Sequence, residues 1–218
     1  MFKTTHRAMS ALAIAAALAA VHGVTAAQTL NANATANNGG SAGWAAYFDV
    51  TASQALAITG LTTASTAAAG ASFSVEVLTH AGSALGATGA NGSPAGWTSL
   101  GTATATQGAA GSGISLLIDI PDILLAAGQT TGIALVFGGA GPRYFGSGTA
   151  PLQTFADSFL TLVTGDARSV PFSTGGSYFS SRGLTGSLVY APVPEPATWA
   201  MAAMGIAGLA LRLRRRVG

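Results

Sequence analysis

Short runs of strand-like sequence, separated by Gly, Pro, Asn and Ser, fill the chain between about residues 44 and 191. At residues 73–78 the sequence FSVEVL alternates between two faces, with the period of two that is typical of a β-strand. Similar runs lie at residues 47–50, 55–61, 97–106, 114–120, 130–137, 157–164 and 183–190. No segment of this region keeps a helical period. The pattern predicts an all-β domain, a single antiparallel β-sandwich of jelly-roll type.

The first 27 residues have the three-part pattern of a secretory signal peptide. Lys3 and Arg7 give a positive start, an alanine-rich apolar stretch covers residues 8–20, and Thr25-Ala26-Ala27 resembles a cleavage site. We therefore expect a signal helix that signal peptidase removes after export through the Sec translocon, with a buried alanine-rich helix as the alternative. Residues 28–43 are small and polar, and they predict a flexible lead-in to a domain over residues 44–191.

Charge and residue types exclude several functions. Between the two chain ends the sequence has three arginines, six acidic residues and no lysine, so this part carries a net charge of −3 and no basic cluster for nucleic acid. The chain has no cysteine, which excludes disulfides and thiolate metal sites. His80 is the one histidine outside the signal region, and a catalytic triad would need it beside Ser83 or Asp157. We expect no cofactor, no metal and no enzymatic activity.

Several polar and aromatic residues have two interpretations. Asp119 and Asp122 flank Pro121, where a solvated turn is favoured over a calcium site or a hydrolytic carboxylate pair. Asp49 follows Phe48 and is expected to face water or cap a turn. Trp97 and Trp44 are candidates for glycan contact, and packing inside the domain is the alternative. The long Gly-rich connection over residues 79–96 is either a functional loop or slack, and slack is favoured.

The last 26 residues form a three-part tail. Val193, Pro194, Glu195 and Pro196 come first, and the prolines favour an extended approach. Residues 197–211 are apolar apart from Thr198, which predicts a transmembrane helix over about residues 197–213. These fifteen residues span about 22 Å as a helix, less than the ~30 Å of a hydrocarbon core. The predicted membrane anchors are Trp199, Arg212, Arg214, Arg215 and Arg216.

This order of Pro-Glu-Pro, apolar helix and arginine cluster resembles the PEP-CTERM sorting signal of Gram-negative bacteria. The resemblance implies that exosortase, a membrane cysteine protease-transpeptidase, recognises Pro194, Glu195 and Pro196 and releases the protein toward the cell surface or an exopolysaccharide matrix. Motifs such as residues 47–52 (YFDVTA) and 95–101 (AGWTSLG) also recur in PEP-CTERM proteins, with no known activity. The expected function is an exported structural or adhesive component, the alternative is a carbohydrate-binding module, and a hydrolase is less favoured.

Overall fold

Antiparallel strands make up most of the part of the chain that the computed structural model describes, which is residues 26–109, 113–146, 153–193 and 205–206. The strands in chain order are β1 (Gln28–Asn31), β2 (Asn38–Gly39), β3 (Ala45–Ala52), β4 (Leu56–Ser65), β5 (Ser72–Ala81), β6 (Trp97–Thr106), β7 (Ile118–Leu125), β8 (Thr130–Gly138), β9 (Pro142–Gly146), β10 (Gln153–Ala156), β11 (Leu160–Arg168), β12 (Tyr178–Gly183) and β13 (Gly186–Pro192). Within the described parts of residues 26–193, the one helical segment is a 3-10 turn over Ala90–Gly92. The prediction of an all-β, antiparallel domain is confirmed.

All thirteen strands belong to one hydrogen-bonded network. The main path runs β1-β13-β4-β9-β12-β11-β3-β8-β5-β6, while β7 pairs with β4, β10 with β11 and β2 with β9. Every pairing between these strands is antiparallel. The first and last strands are neighbours, with Gln28 opposite Tyr190, so both ends of residues 27–193 leave from the same region.

Alternating side chains build the main core. From β4, Leu56, Ile58 and Leu61 point inward, and the isoleucines of β7 join them. Inward-facing residues of β3, β5, β8 and β11 belong to the same cluster, among them Phe48, Val75, Phe137 and Leu162. A large apolar side chain contributes about 1.5–3 kcal/mol when it is fully buried. Because the chain has no cysteine, this burial takes the place of the disulfides that stabilise many exported domains.

Two expectations for local structure were wrong. Residues 28–43 do not form a flexible lead-in, because β1 pairs with β13 and β2 pairs with β9, and Leu30 is buried. The run at residues 114–120 does not end at Pro121, since β7 continues to Leu125. A register shift in the β4–β7 pairing falls between the partners of Asp119 and Ile123, so the proline lies where the ladder is interrupted.

The same register shift decides which residues of β4 face the core. Leu56, Ile58 and Leu61 face it, whereas the shift moves Gly60 to the opposite face. There Gly60 lies under the Leu117 side chain, and an added Cβ would be 3.2 Å from Leu117 Cδ1.

Candidate functional site

The connection between β5 and β6, residues 82–96, is fixed to the domain by four buried polar side chains. Asp49 lies on β3, Asp166 and Arg168 lie on β11, and Asn91 lies in the 3-10 turn of the connection itself. Their exposed fractions are 7%, 1%, 2% and 0%, in that order. We call these four residues the loop anchor. Asp49 alternates with Phe48 on β3 and so lies on the face that points away from the main core. On β11 a register shift between Thr164 and Asp166 brings Asp166 and Arg168 to the same outer face, opposite Tyr47 and Ala45, whereas Leu162 faces the core.

Arg168 connects two separate loops. Its Nε donates to Asn91 Oδ1 at 2.6 Å, and one terminal nitrogen donates to the Ala87 carbonyl at 2.7 Å. The other terminal nitrogen donates to the Ser173 carbonyl at 2.9 Å, in the connection between β11 and β12. The guanidinium also lies 4.9 Å from the centre of the Tyr178 ring. A buried guanidinium is costly when its nitrogens lack partners, and here each of the three nitrogens donates one hydrogen bond.

Asp166 and Asn91 complete the contacts below the loop. Asp166 accepts hydrogen bonds from the Gly86 backbone N–H at 2.7 Å and from the Tyr178 hydroxyl at 2.9 Å. The Asn91 amide donates to the Ala84 carbonyl at 2.7 Å and to Asp166 at 3.3 Å. Burial raises the pKa of Asp166, although the hydrogen bonds from Gly86 and Tyr178 and the charge of Arg168 oppose the rise.

Asp49 caps the first turn of the same connection. One carboxylate oxygen accepts the Ala84 backbone N–H at 2.7 Å, and the other accepts the Ser83 hydroxyl. Burial raises the pKa of Asp49, and the same two donors oppose this shift. Of the two expectations for Asp49, capping a turn is therefore confirmed and facing water is wrong. The connection over residues 79–96 is anchored at several points, so the expectation of slack is wrong as well.

Trp97 closes the loop on its other side. The Trp97 ring lies 5.8 Å from Tyr47, 5.3 Å from His80 and 5.1 Å from Phe172. Its indole Nε1 donates to the Ala90 carbonyl at 3.0 Å. Trp97 stays half-buried in this arrangement. The Tyr47 hydroxyl accepts the Phe172 backbone N–H at 3.1 Å, and burial raises the pKa of Tyr47 to about 12.

Trp44 belongs to a different aromatic group. It is half-buried and stacks on Phe179 at 5.2 Å, while the Arg182 guanidinium lies 5.5 Å from the Phe179 ring. The ring contacts of Trp44 and Trp97 have no residue in common within the described part of the chain. The two tryptophans predicted as glycan contacts therefore do not form one continuous row, and glycan contact stays a prediction for each.

The structure separates the residues of the hypothetical triad. Ser83 is bonded to Asp49, and Asp157 accepts the Tyr190 hydroxyl at 2.7 Å. In the described residues neither of them is hydrogen-bonded to His80, which packs against Trp97. Asp119 and Asp122 are both exposed, as expected, but they lie within β7 and not in a turn.

Val193 is the one member of the predicted sorting motif that lies within the described residues. It is 38% exposed, and its N–H donates to the Ala55 carbonyl at 3.0 Å. Pro194, Glu195, Pro196, Trp199, Arg212, Arg214, Arg215 and Arg216 lie outside the described residues, as does the signal peptide up to residue 25. Of the predicted helix over residues 197–213, only Gly205 and Ile206 are described, and both are helical. No helix in the described parts has the length and apolar character needed to cross a membrane.

The chain is thus an antiparallel β-domain followed directly by a separate C-terminal segment. Residues 192–216 match the family model described as PEP-CTERM protein-sorting motif. This match confirms that the tail is a PEP-CTERM sorting motif and implies exosortase as its processing partner. No curated protein shows a significant match to the chain.

The loop anchor could not be recognised from the sequence, because its members are up to 119 positions apart. Only Asp49 drew attention there, through its place among aromatic residues. Asn91 and Asp166 follow no motif. The loop-like sequence around Arg168 indicates either a pair with a carboxylate of the domain or a solvated side chain, and the solvated alternative is wrong because Arg168 is buried. Asp166 and Arg168 lie on the same strand, and Asp49 joins them only because β3 pairs with β11, with Tyr47 opposite Asp166.

Proposed function

We propose that this protein is exported through the Sec pathway, held for a time in the inner membrane by its C-terminal segment, and then cut by exosortase. Signal peptidase removes the N-terminal segment in this scheme. The observation that supports the proposal is the position of the sorting motif. The match starts at Pro192, the last residue of β13, so a cut beyond Val193 leaves every described strand within the released part.

We propose that the released part is a β-sandwich of jelly-roll type. The composition of the main core supports this: side chains of β4, β7 and β13 pack in the same cluster as side chains of β3, β5, β8 and β11. These two groups of strands lie in different parts of the strand order, which fits two layers facing each other across one core.

The released domain is proposed to be a structural or adhesive component of an exopolysaccharide matrix. Support comes from β6, which ends the main path of the strand order. Its exposed positions carry hydroxyl side chains, at Thr98, Ser99, Thr102 and Thr104. Such a row presents donors and acceptors to a hydrated polymer while Ala103 and Ala105 stay in the core.

The test is processing in an exporting host with and without its exosortase. Replacing Pro194, Glu195 and Pro196 by alanines should leave the uncut protein in the inner membrane, whereas the wild type should reach the matrix fraction in a shorter form. T198A is the matched control, since it changes the same tail outside the Pro-Glu-Pro triplet and should be processed normally. If the triple variant still reached the matrix in the shorter form, the proposed sorting would be wrong.

A further inference from the structure

An apolar strip lies on the face of β4, β7 and β13 that points away from the core, at the end where the chain leaves the domain. Leu124 on β7 is opposite Ala57 on β4, which is opposite Ala191 on β13. Val193 follows two residues later on the same face. We call Ala57, Leu124, Ala191 and Val193 the exit strip; Leu124 and Val193 are exposed, Ala191 is half-buried, and Ala57 is buried between its neighbours. Leu124 is 71% exposed, the most exposed large apolar side chain among the described residues.

Leu124 is close to the point where the tail begins. Neighbouring strands are about 4.8 Å apart, so Leu124 and Ala191 are separated by about 10 Å across Ala57. The turn after β7 adds the exposed residues Ala126 and Ala127 at the same end. On β7 the nearest acidic residue, Asp122, lies two positions farther from this end. The exit strip itself is therefore uncharged, and Asp122 lies beside it on β7.

The sequence leaves little chain between this end and the predicted membrane segment. Only Pro194, Glu195 and Pro196 separate Val193 from Ala197, a distance of at most about 14 Å when fully extended. The polar layer on each side of the hydrocarbon core takes up about 5–8 Å of this length. The predicted apolar segment spans about 22 Å and has no spare length to lift the domain away from a ~30 Å core.

We propose that the exit strip rests on the lipid headgroup region while the tail is anchored, with Leu124 as its main contact. This inference rests on the proposed membrane anchoring of the tail. The partner is the lipid surface itself, because the short linker holds this end of the domain against it. Contact between the exit strip and the headgroups orients the domain with the end of β13 toward the bilayer. When cleavage releases the domain from the tail, Leu124 becomes exposed to water.

The absence of cysteine allows a direct test with single labels. Full-length L124C, L116C and I206C chains would be produced in an exosortase-free host, labelled with an environment-sensitive fluorophore and reconstituted in phosphatidylcholine vesicles that contain headgroup-region nitroxide lipids. Leu116 is the matched control: it is 62% exposed and lies about 17 Å farther from the exit, since Ser115 pairs with Thr63 while Leu124 pairs with Ala57. The label at position 206 reports whether the tail is in the bilayer.

The expected result is that the emission of the fluorophore at position 124 shifts to the blue on vesicles and is quenched by the nitroxide lipid. The emission at position 116 should change little. Inserting twelve Gly and Ser residues between Val193 and Pro194 should abolish the loss at position 124 and leave the emission at position 206 unchanged. If position 206 responds but position 124 behaves like position 116, the exit strip does not contact lipid. A blue shift at position 124 without quenching would overturn the proposal in favour of contact with a second copy. If position 206 also fails to respond, the membrane anchor itself is wrong.

Discussion

Replacing Arg168 with methionine should destabilise the domain strongly. Methionine keeps much of the apolar stem of arginine but none of its donors. The change removes the three hydrogen bonds of 2.6, 2.7 and 2.9 Å to Asn91, Ala87 and Ser173. Hydrogen bonds that involve a charged group contribute about 1.5 kcal/mol or more each, so loss of the three should lower the free energy of unfolding of R168M by at least about 4.5 kcal/mol. Asp166 also loses a nearby positive charge, which acts in the same direction.

The measurement is urea unfolding of residues 27–193, followed by circular dichroism. R143M is the matched control, because Arg143 is half-buried beside a polar groove and its guanidinium donates no hydrogen bond within the described residues. That variant should stay within about 0.5 kcal/mol of the wild type. A loss below about 1 kcal/mol for R168M, or equal losses for both variants, would refute the view that the loop anchor holds the two loops in place.

Two further predictions concern ionisation. Burial raises the pKa of Asp49 and Asp166, so both carboxyl groups bind a proton more tightly in the folded domain than in the unfolded chain. Proton binding therefore stabilises the folded domain below the ordinary pKa of 3.8, and this stabilisation is lost as the pH rises through the folded pKa. Urea unfolding as a function of pH should show this fall, and D166N should reduce it; an equally steep profile would contradict the prediction. Burial also raises the pKa of all four tyrosines, that of Tyr47 to about 12. At the ordinary pKa of 10 the folded domain should therefore show less tyrosinate absorbance than the chain in urea, and coincident titrations would count against the structure.

Strands with a clear alternation could be predicted from the sequence because local residues decide them. The run over residues 97–106 coincides with β6, and residues 130–137 lie within β8. By contrast, β1 and β2 were missed because their pairing depends on backbone groups and on distant partners. Only Leu30 in β1 supplies a large core side chain. A ladder of backbone hydrogen bonds forms with small polar residues as well, so composition alone gave no indication of these two strands.

The loop over residues 79–96 shows the limit of local inference more sharply. Glycines and small polar residues predict flexibility when they are considered alone. The loop is ordered by Asp49, Asp166 and Arg168, which belong to strands 30 or more positions away. Burying these charges is costly unless each one is paired, and here the loop supplies hydrogen-bond partners to all three. One loop can contact all three side chains because β3 and β11 are adjacent. The order of this loop is a property of the tertiary structure.

The place of β13 in the strand order limits where processing can release an intact domain. β13 lies between β1 and β4 and buries Leu188 and Tyr190, whose exposed fractions are 1% and 0%. A cut before β13 would remove both side chains from the core, at a cost of about 2–5 kcal/mol each. A cut beyond Val193 loses at most the hydrogen bond from Val193 to Ala55, worth about 1 kcal/mol. A sorting motif that starts at Pro192 therefore lies at the first position where the tail can be separated from the domain without loss of its fold.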